Sequence, residues 1–463
     1  MSFGEKLTHK ERGGSSLIIS MIFLLVFSAM TVSMVSMSDT SVQMAHNHQE
    51  ANNALASAES GLEIIRYYLS SLRVSGSVSP QNRLQTLASS LQSTLAAGGI
   101  TTSYDAGSNI ISISTIVLDS QSNQNFTASI GYGGDFDTLQ LDVTGSGGQF
   151  SRKIRANFGF ASAASGVFDF GVATRGPLSL AGNASLEGLN EPSEANVYIE
   201  STDENEALAM TGNPEIAGDV SISNPNAYVT LGSNCSIGGQ TGQDAEDNHV
   251  STGVPTMELP GVDISIFEPY AINIVDLSTT TNGNISFENI RIIEGTDPVF
   301  SGNIDINGVV YIESPNHVIF SGNTTIIGVV VAEGDLDFPE AGDQIEFTGN
   351  LSSQSVSQLP AGPTFDGLRD KTDTFILAPG FSLAFSGNFN TINGAIAANG
   401  VSFSGNAGGT VTNSVINYSD TEMTLSGNTT LQFDRSGEQT NPTGFVADNI
   451  LEFQPESYVE LPL

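Results

Sequence analysis

A short phrase, an apolar residue followed by Ser or Thr, then Gly, then Asn, recurs through the second half of the chain and restricts the folds open to it. It reads Phe300-Ser-Gly-Asn303, Phe320-Ser-Gly-Asn323, Phe347-Thr-Gly-Asn350, Phe385-Ser-Gly-Asn388, Phe403-Ser-Gly-Asn406 and Leu425-Ser-Gly-Asn428. A further copy is Met210-Thr-Gly-Asn213, and looser ones stand at Leu180-Ala-Gly-Asn183 and Leu231-Gly-Ser-Asn234. From Phe300 to Leu425 the apolar residues are 20, 27, 38, 18 and 22 apart. Repeats of about 20 residues without helical period indicate a solenoid, in which no coil buries its apolar face alone and each stacks on its neighbours. On this reading the interval of 38 holds two units and that of 27 holds one unit with an insertion. The corner residues are Gly302, Asn303, Gly322, Asn323, Gly349, Asn350, Gly387, Asn388, Gly405, Asn406, Gly427 and Asn428. Gly and Asn there supply the left-handed backbone angles of a tight corner. The Phe residues line the interior, and the Asn side chains form a ladder from coil to coil.

A solenoid domain is expected over residues 167–435, entered by a linker at Ala161 to Gly166. It resembles a parallel β-helix, right-handed or of the bactofilin-like kind; the alternative is a Gly-rich β-sandwich. At about 4.8 Å per coil, ~10–12 coils make a rod of ~50–60 Å. The repeat lapses between Gln240 and Asp263, which reads as a loop on the rod. Residues 436–463 are expected to cap the last coil or trail from it, since solenoids need covered ends.

The other end of the chain obeys a different period. Between Arg12 and Asp39 there is no charge, and roughly 24 helical residues reach ~36 Å against a hydrocarbon core of ~30 Å. Beyond it Leu55, Ala58, Leu62, Ile65, Leu69 and Leu72 recur at three and four residues, so one helix leaves the membrane and docks on something. Lys6, Lys10 and Arg12 place the head in the cytoplasm and the bulk of the chain outside it. Gly14-Ser15-Ser16-Leu17-Ile18-Ile19, Met44-Ala45-His46-Asn47 and Ala54-Leu55-Ala56-Ser57-Ala58-Glu59-Ser60-Gly61-Leu62 resemble the N-terminal region of PilX-type minor pilins, over residues ~12–65. The resemblance implies a leader over residues 1–14, prepilin peptidase cutting after Gly14, Ser15 as the new N-terminus, and a helix over 15–72 that joins other pilin or pseudopilin subunits in a filament. Ile19 stands at the mature fifth position, where major pilins place Glu. Some tip-located minor subunits also lack that Glu, which points to a rare or terminal subunit. An uncleaved inner-membrane anchor is the alternative.

Residues 73–160 are expected to complete an α+β pilin-like part. Leu84 to Leu95 reads as a short amphipathic helix, and Ile110 to Val117, Phe126 to Tyr132, Leu139 to Val143 and Ile154 to Phe160 alternate as strands. The last pair is a hairpin whose Gly-rich turn lies at Gly145 to Gly148.

Charge separates function classes. The formal net charge is −36, and after residue 160 five Lys and Arg face 39 Asp and Glu. Such a surface repels nucleic acid and anionic membrane surfaces. The single cysteine, Cys235, excludes an intramolecular disulfide. The nearest candidates for paired carboxylates are Asp335 with Asp337, and Asp203 with Glu204 and Glu206; His249 and His317 are isolated, and neither set forms a recognisable catalytic motif. Glu333, Asp335 and Asp337 offer hard oxygen ligands of the kind Ca²⁺ takes, as do Asp244, Glu246 and Asp247, without an EF-hand pattern. No other cofactor is expected. The favoured expectation is a non-enzymatic, membrane-anchored, pilin-like protein serving type IV pilus or pseudopilus assembly, or adhesion to a surface, glycan or protein receptor. A membrane-tethered polysaccharide-active β-helix enzyme and a polymerising solenoid scaffold are the alternatives.

Overall fold

A computed structural model describes residues 14–96, 99–201, 206–336, 339–435 and 441–462. The chain divides into two compact units, one of residues 1–72, 84–159 and 451–463, the other of residues 73–83 and 160–450.

In the first unit helix α1 (Gly14–Ser71) is unbroken, yet its halves differ in what they touch. Apolar side chains from Leu17 to Met44 are exposed. In the second half Ala54, Ala58, Leu62, Ile65 and Leu69 are at most 5% exposed. Small residues join the expected stripe because helix and sheet approach closely, and Leu55 is only half-buried. The sheet holds β1 (Arg73–Val74), β2 (Thr102–Asp105), β3 (Ile110–Asp119), β4 (Gln124–Tyr132), β5 (Thr138–Gly147), β6 (Phe150–Ala163) and a C-terminal strand, Asp448–Leu461. Its order is β1, C-terminal strand, β6, β5, β4, β3, β2, antiparallel from β6 to β2. One face is apolar, with Phe126, Ile130, Leu141, Val143 and Ile154 buried, and α2 (Arg83–Ala96) adds Leu84, Leu87, Leu91 and Leu95 to the core.

Two expectations are corrected here. The hairpin turn is only Gly148-Gln149, because Gly145 and Gly147 lie inside β5. A Cβ on Gly145 would stand 2.2 Å from the Ala58 nitrogen and 2.3 Å from the Ala54 oxygen, so this glycine is there for the helix and not for the turn. Of the tail over 436–463, which is described over 441–462, the part from Asp448 to Leu461 does not cap the last coil: it is the strand beside β6, covering an edge that would otherwise be open. The solenoid is thus an insertion between two strands of one sheet. Residues 73–83 group with the second unit, although β1 within them pairs with Asn449 and Ile450 at the start of the C-terminal strand.

The second unit is a three-faced solenoid. On the first face eleven parallel strands follow one another: Asn273–Val275, the end of Asn282–Ile292, the end of Val299–Ile312, Asn323–Ala332, Thr374–Ala378, Ala395–Ala398, Val415–Asn417, Val172–Thr174, Val197–Ile199, Val220–Ile222 and Val250–Thr252. The rungs therefore do not stack in chain order. The chain enters mid-rod at Val172, builds three rungs toward one end, crosses to the other end through residues 253–272, and returns until Val415–Asn417 closes against its own first strand. The second face carries the repeat phrase in register: Phe300, Phe320, Phe347, Phe385, Phe403, Leu425, Leu180, Met210, Leu231. In space the aromatic copies form one run and the aliphatic copies continue it. Phe347 pairs directly with Phe385, so the interval of 38 is one rung and not two; its extra residues lie in the segment around Val356–Gln358, Phe365 and Leu368, outside the rod.

That segment explains another feature. The outer side of the first face is apolar, with Tyr198, Val309, Tyr311, Val329, Val331, Leu377, Ala397 and Ile416 buried beneath Leu259, Phe267, Phe365, Leu368 and Phe445. Residues read as loop and insertion are straps over a second apolar core.

Candidate functional site

Three surfaces have the regularity or exposure expected of a working site. The first is the N-terminal half of α1, a helix long and apolar enough to cross a membrane, with a mean hydropathy of 2.4 in its best window and none of that window buried. Gly14 and Ser15 lie in its described first turn, and Ile19 is 54% exposed. Met21, Phe23, Leu24, Phe27 and Met34 share that exposure. Among the described residues nothing covers this half, and an exposed apolar surface of this extent marks an interaction site.

The second is the corner of the rod. Asn303 donates to Asn284 at 2.8 Å, Asn323 to Asn303 at 3.0 Å and Asn350 to Asn323 at 2.8 Å. Beyond Asn388 the series resumes and continues through the junction of the last rung with the first: Asn428 to Asn406 at 3.3 Å, Asn183 to Asn428 at 2.8 Å, Asn213 to Asn183 at 3.0 Å and Asn234 to Asn213 at 3.1 Å. Every amide points the same way, so the bonds polarise one another along the rod. Asn388 joins through its backbone carbonyl, which accepts from Leu351. The left-handed role expected for these Asn residues is not found: none is among the described residues with positive φ. Gly302 and Gly427 do have it, at φ +98° and +86°. Gly322, Gly349 and Gly387 are needed for closeness, since a Cβ on Gly322 would stand 2.1 Å from the Gly302 oxygen.

The third is the outward side of the second face. Registered rows read Ala384, Ser402, Thr424, Ser179, Ala209, Thr230 and, two residues on, Thr348, Ser386, Ser404, Ser426, Ala181, Thr211. Beside the Asn ladder this makes an uncharged strip on an otherwise acidic rod. Glu346, held by His317 Nε2 at 2.9 Å, and Glu422 flank it. Three rungs separate them, about 14 Å at ~4.8 Å per rung, wider than the ~6.5–9.5 Å of a hydrolase pair.

Several of the acidic candidates among the described residues have partners of their own. Glu333 accepts from the Tyr311 hydroxyl at 3.0 Å and lies 4.0 Å from Arg291, whose guanidinium also meets Glu313 at 2.6 Å and Glu268 at 3.1 Å. Burial and the Glu333 charge push the Tyr311 hydroxyl far above its ordinary pKa. Asp335 also has a partner. Asp337, like Asp203 and Glu204, lies outside the described residues. Glu206 accepts from Thr230. Asp247 accepts from Gln243, and His249 Nδ1 meets Asp219 at 2.7 Å. Among the described residues no group of three or more His, Cys, Asp or Glu is placed to hold a metal ion. The uncharged strip was missed by sequence reasoning; the signal was the residue after each Phe and the one before it, legible only once rung order is known.

Residues 12–63 match the PilX N-terminal family, so the N-terminal region is pilin-like. Among solved structures the chain is similar to the competence-associated pilin ComZ from Thermus thermophilus, at 13% identity over 89% of this chain and 97% of that one, with a TM-score of 0.24. It is also similar to the DUF3494 domain of ice-binding protein_1 from Shewanella frigidimarina, at 12% identity over 58% of this chain and 98% of that one, with a TM-score of 0.18. No curated protein matches it.

Proposed function

We propose that this pilin-like chain is a non-enzymatic, sparse or terminal subunit of a type IV pilus or pseudopilus, anchored in the inner membrane by the first half of α1 until it enters the filament. The observation that carries the reading is the division of one helix into an exposed apolar half and a docked half. Prepilin peptidase cuts between Gly14 and Ser15, and the apolar half then packs among the helices of other subunits. The solenoid is the displayed part, and its uncharged strip is the adhesive surface, since a flat face free of charge loses least on drying against a solid or a glycan. A protruding rod crowds a regular shaft, which favours a rare position.

N-terminal sequencing of the protein from cells with and without the peptidase tests the subunit reading. Ser15 at the N-terminus only where the peptidase is present supports it; Met1 intact in both overturns it and leaves an anchored surface protein.

A further inference from the structure

The two ends of the rod are built differently. At one end α3 (Gln243–His249) lies over the interior with Ala245 fully buried in the core, the antiparallel pair Ser236–Ile237 and Gln240–Thr241 finishes the third face, and Val250–Thr252 adds a last strand. At the other end the final rung consists of Asn273–Val275, residues 276–281 and the first half of Asn282–Ile292. Among the described residues the outer edge of this rung has no strand partner. Ile285 and Phe287 on it are half-buried, whereas their register partners one rung in, Ile304 and Ile306, are fully buried. Ile272, Ile274 and Leu277 are 66%, 64% and 85% exposed.

We propose that this open end is an interface with a second copy of the chain, two rods meeting end to end about a two-fold axis perpendicular to them. Two observations select that occupant. The first is self-complementarity. Corners at Gly283 (φ +113°) and Asn289 (φ +47°) bound this edge, which has no strand partner but whose Glu288 carbonyl accepts from the Asn273 side chain and whose Asn289 carbonyl accepts from the Ile272 nitrogen. Antiparallel pairing that overlays the corners sets Gly283 against Asn289, Asn284 against Glu288, Ile285 against Phe287, and Ser286 against itself. The apolar pair closes the interior. Outside, Asn284 already accepts from Asn303 through its oxygen, so by the direction of the ladder its NH₂ faces the open end, where it meets the Glu288 carboxylate of the second copy. No like charges oppose one another. Gly283 has nothing within 4 Å of a Cβ position, which leaves room for the Ile272-Asn273 step that sits over the other corner. The axis exchanges the first and second faces, and so brings Ile274 of each copy toward Leu277 of the other. The second observation is the opposite end, where α3 covers the interior and Gln240–Thr241 finishes the third face, while Tyr228–Leu231 and Val250–Thr252 keep an outer edge without a strand partner among the described residues. The third face is therefore not free there to take a strand, which blocks head-to-tail pairing through that face. A two-fold contact closes at a dimer, so the structure favours a pair over a polymerising scaffold. One rung is a small interface, so association is weak in dilute solution and gains from tethering in a common membrane.

The test uses the full chain in detergent micelles with Ser286→Cys, the residue opposite itself across the axis; the native Cys235 is buried. Opposed Cβ atoms at about 4.5–5.5 Å are near disulfide range. Mild oxidation is expected to give a disulfide dimer for Ser286→Cys and none above background for Gln243→Cys at the covered end. In sedimentation the unmodified chain is expected to move from monomer to dimer as concentration rises, and Ile274→Arg with Leu277→Arg to weaken that association at least tenfold. Equal cross-linking of the two cysteine variants, a monomer at every concentration, or a dimer indifferent to the double Arg variant would overturn the proposal.

Discussion

Removing one ring from the aromatic column should unfasten the rod on both sides of it. Phe347 is 1% exposed, and its ring centroid lies 4.8 Å from that of Phe320 and 5.1 Å from that of Phe385, with planes within 8° and 10° of parallel. Phe347→Ala forfeits buried area and leaves a cavity, worth ~3–5 kcal/mol in a core that relaxes only in part. Two stacked partners at ~0.5–1.5 kcal/mol each put the loss near the top of that range, about 5 kcal/mol. Phe347→Leu keeps most of the volume and loses the stacks, so ~1–2 kcal/mol is expected. In a solenoid each rung is held chiefly by its neighbours, so the loss is local before it is global. Amide hydrogen exchange is the suitable assay, because it resolves rungs that a single melting curve averages. Residues 317–320 and 382–385 should lose protection together, by about three orders of magnitude for Ala and one for Leu, while 220–222 keep theirs. A loss under ~1 kcal/mol for Phe347→Ala, or an even loss along the rod, would refute the idea that the column is a chain of nearest-neighbour contacts.

Other substitutions address the rest of the structure. Gly145→Val should lift α1 from β5, because its Cβ meets helix backbone at 2.2 Å; limited proteolysis should then open the chain near Ala54 and Ala58. Asn323→Asp still accepts from Asn350 but cannot donate to Asn303, and should cost ~1 kcal/mol in a denaturant titration while Phe320 remains stacked. Burial raises the Asp343 carboxyl above its ordinary value of 3.8 despite bonds from Ser314 and the Asn316 nitrogen. The folded state then holds this proton more tightly than the unfolded chain, so its contribution to stability falls as pH rises from about 3.8 through the raised value. Asp343→Asn, which keeps an acceptor for Asn316, should flatten that part of the pH profile and leave the protein at least as stable at neutral pH.

Much of the architecture was legible residue by residue. The uncharged run before Asp39 is a helix, the alternation from Ile110 to Phe160 is an antiparallel sheet, and the Phe-Ser-Gly-Asn phrase does put Phe inside and Asn on a ladder. These follow from periods of 3.6 and 2 and from corner chemistry, which act between residues close in the chain. The candidate site was only half legible. The exposed half of α1 and the ladder were foreseen, but the uncharged strip needs the register of residues as distant as Thr424 and Ser179.

What the tertiary structure alone decided was which rung stacks on which. Leu425 pairs with Leu180 and not with a later copy, the interval after Phe347 leaves the rod instead of adding a coil, and the last strand returns to the first sheet. Every rung offers nearly the same edge to its neighbours, so the repeat specifies a kind of contact without specifying the partner. Partner choice is a long-range matter of which apolar surfaces can cover one another, as the straps do over the first face. One chain end thus determined its own helix from sequence, while the place of the C-terminal strand beside β6 and the order of the rungs were settled by surfaces that meet only when folded.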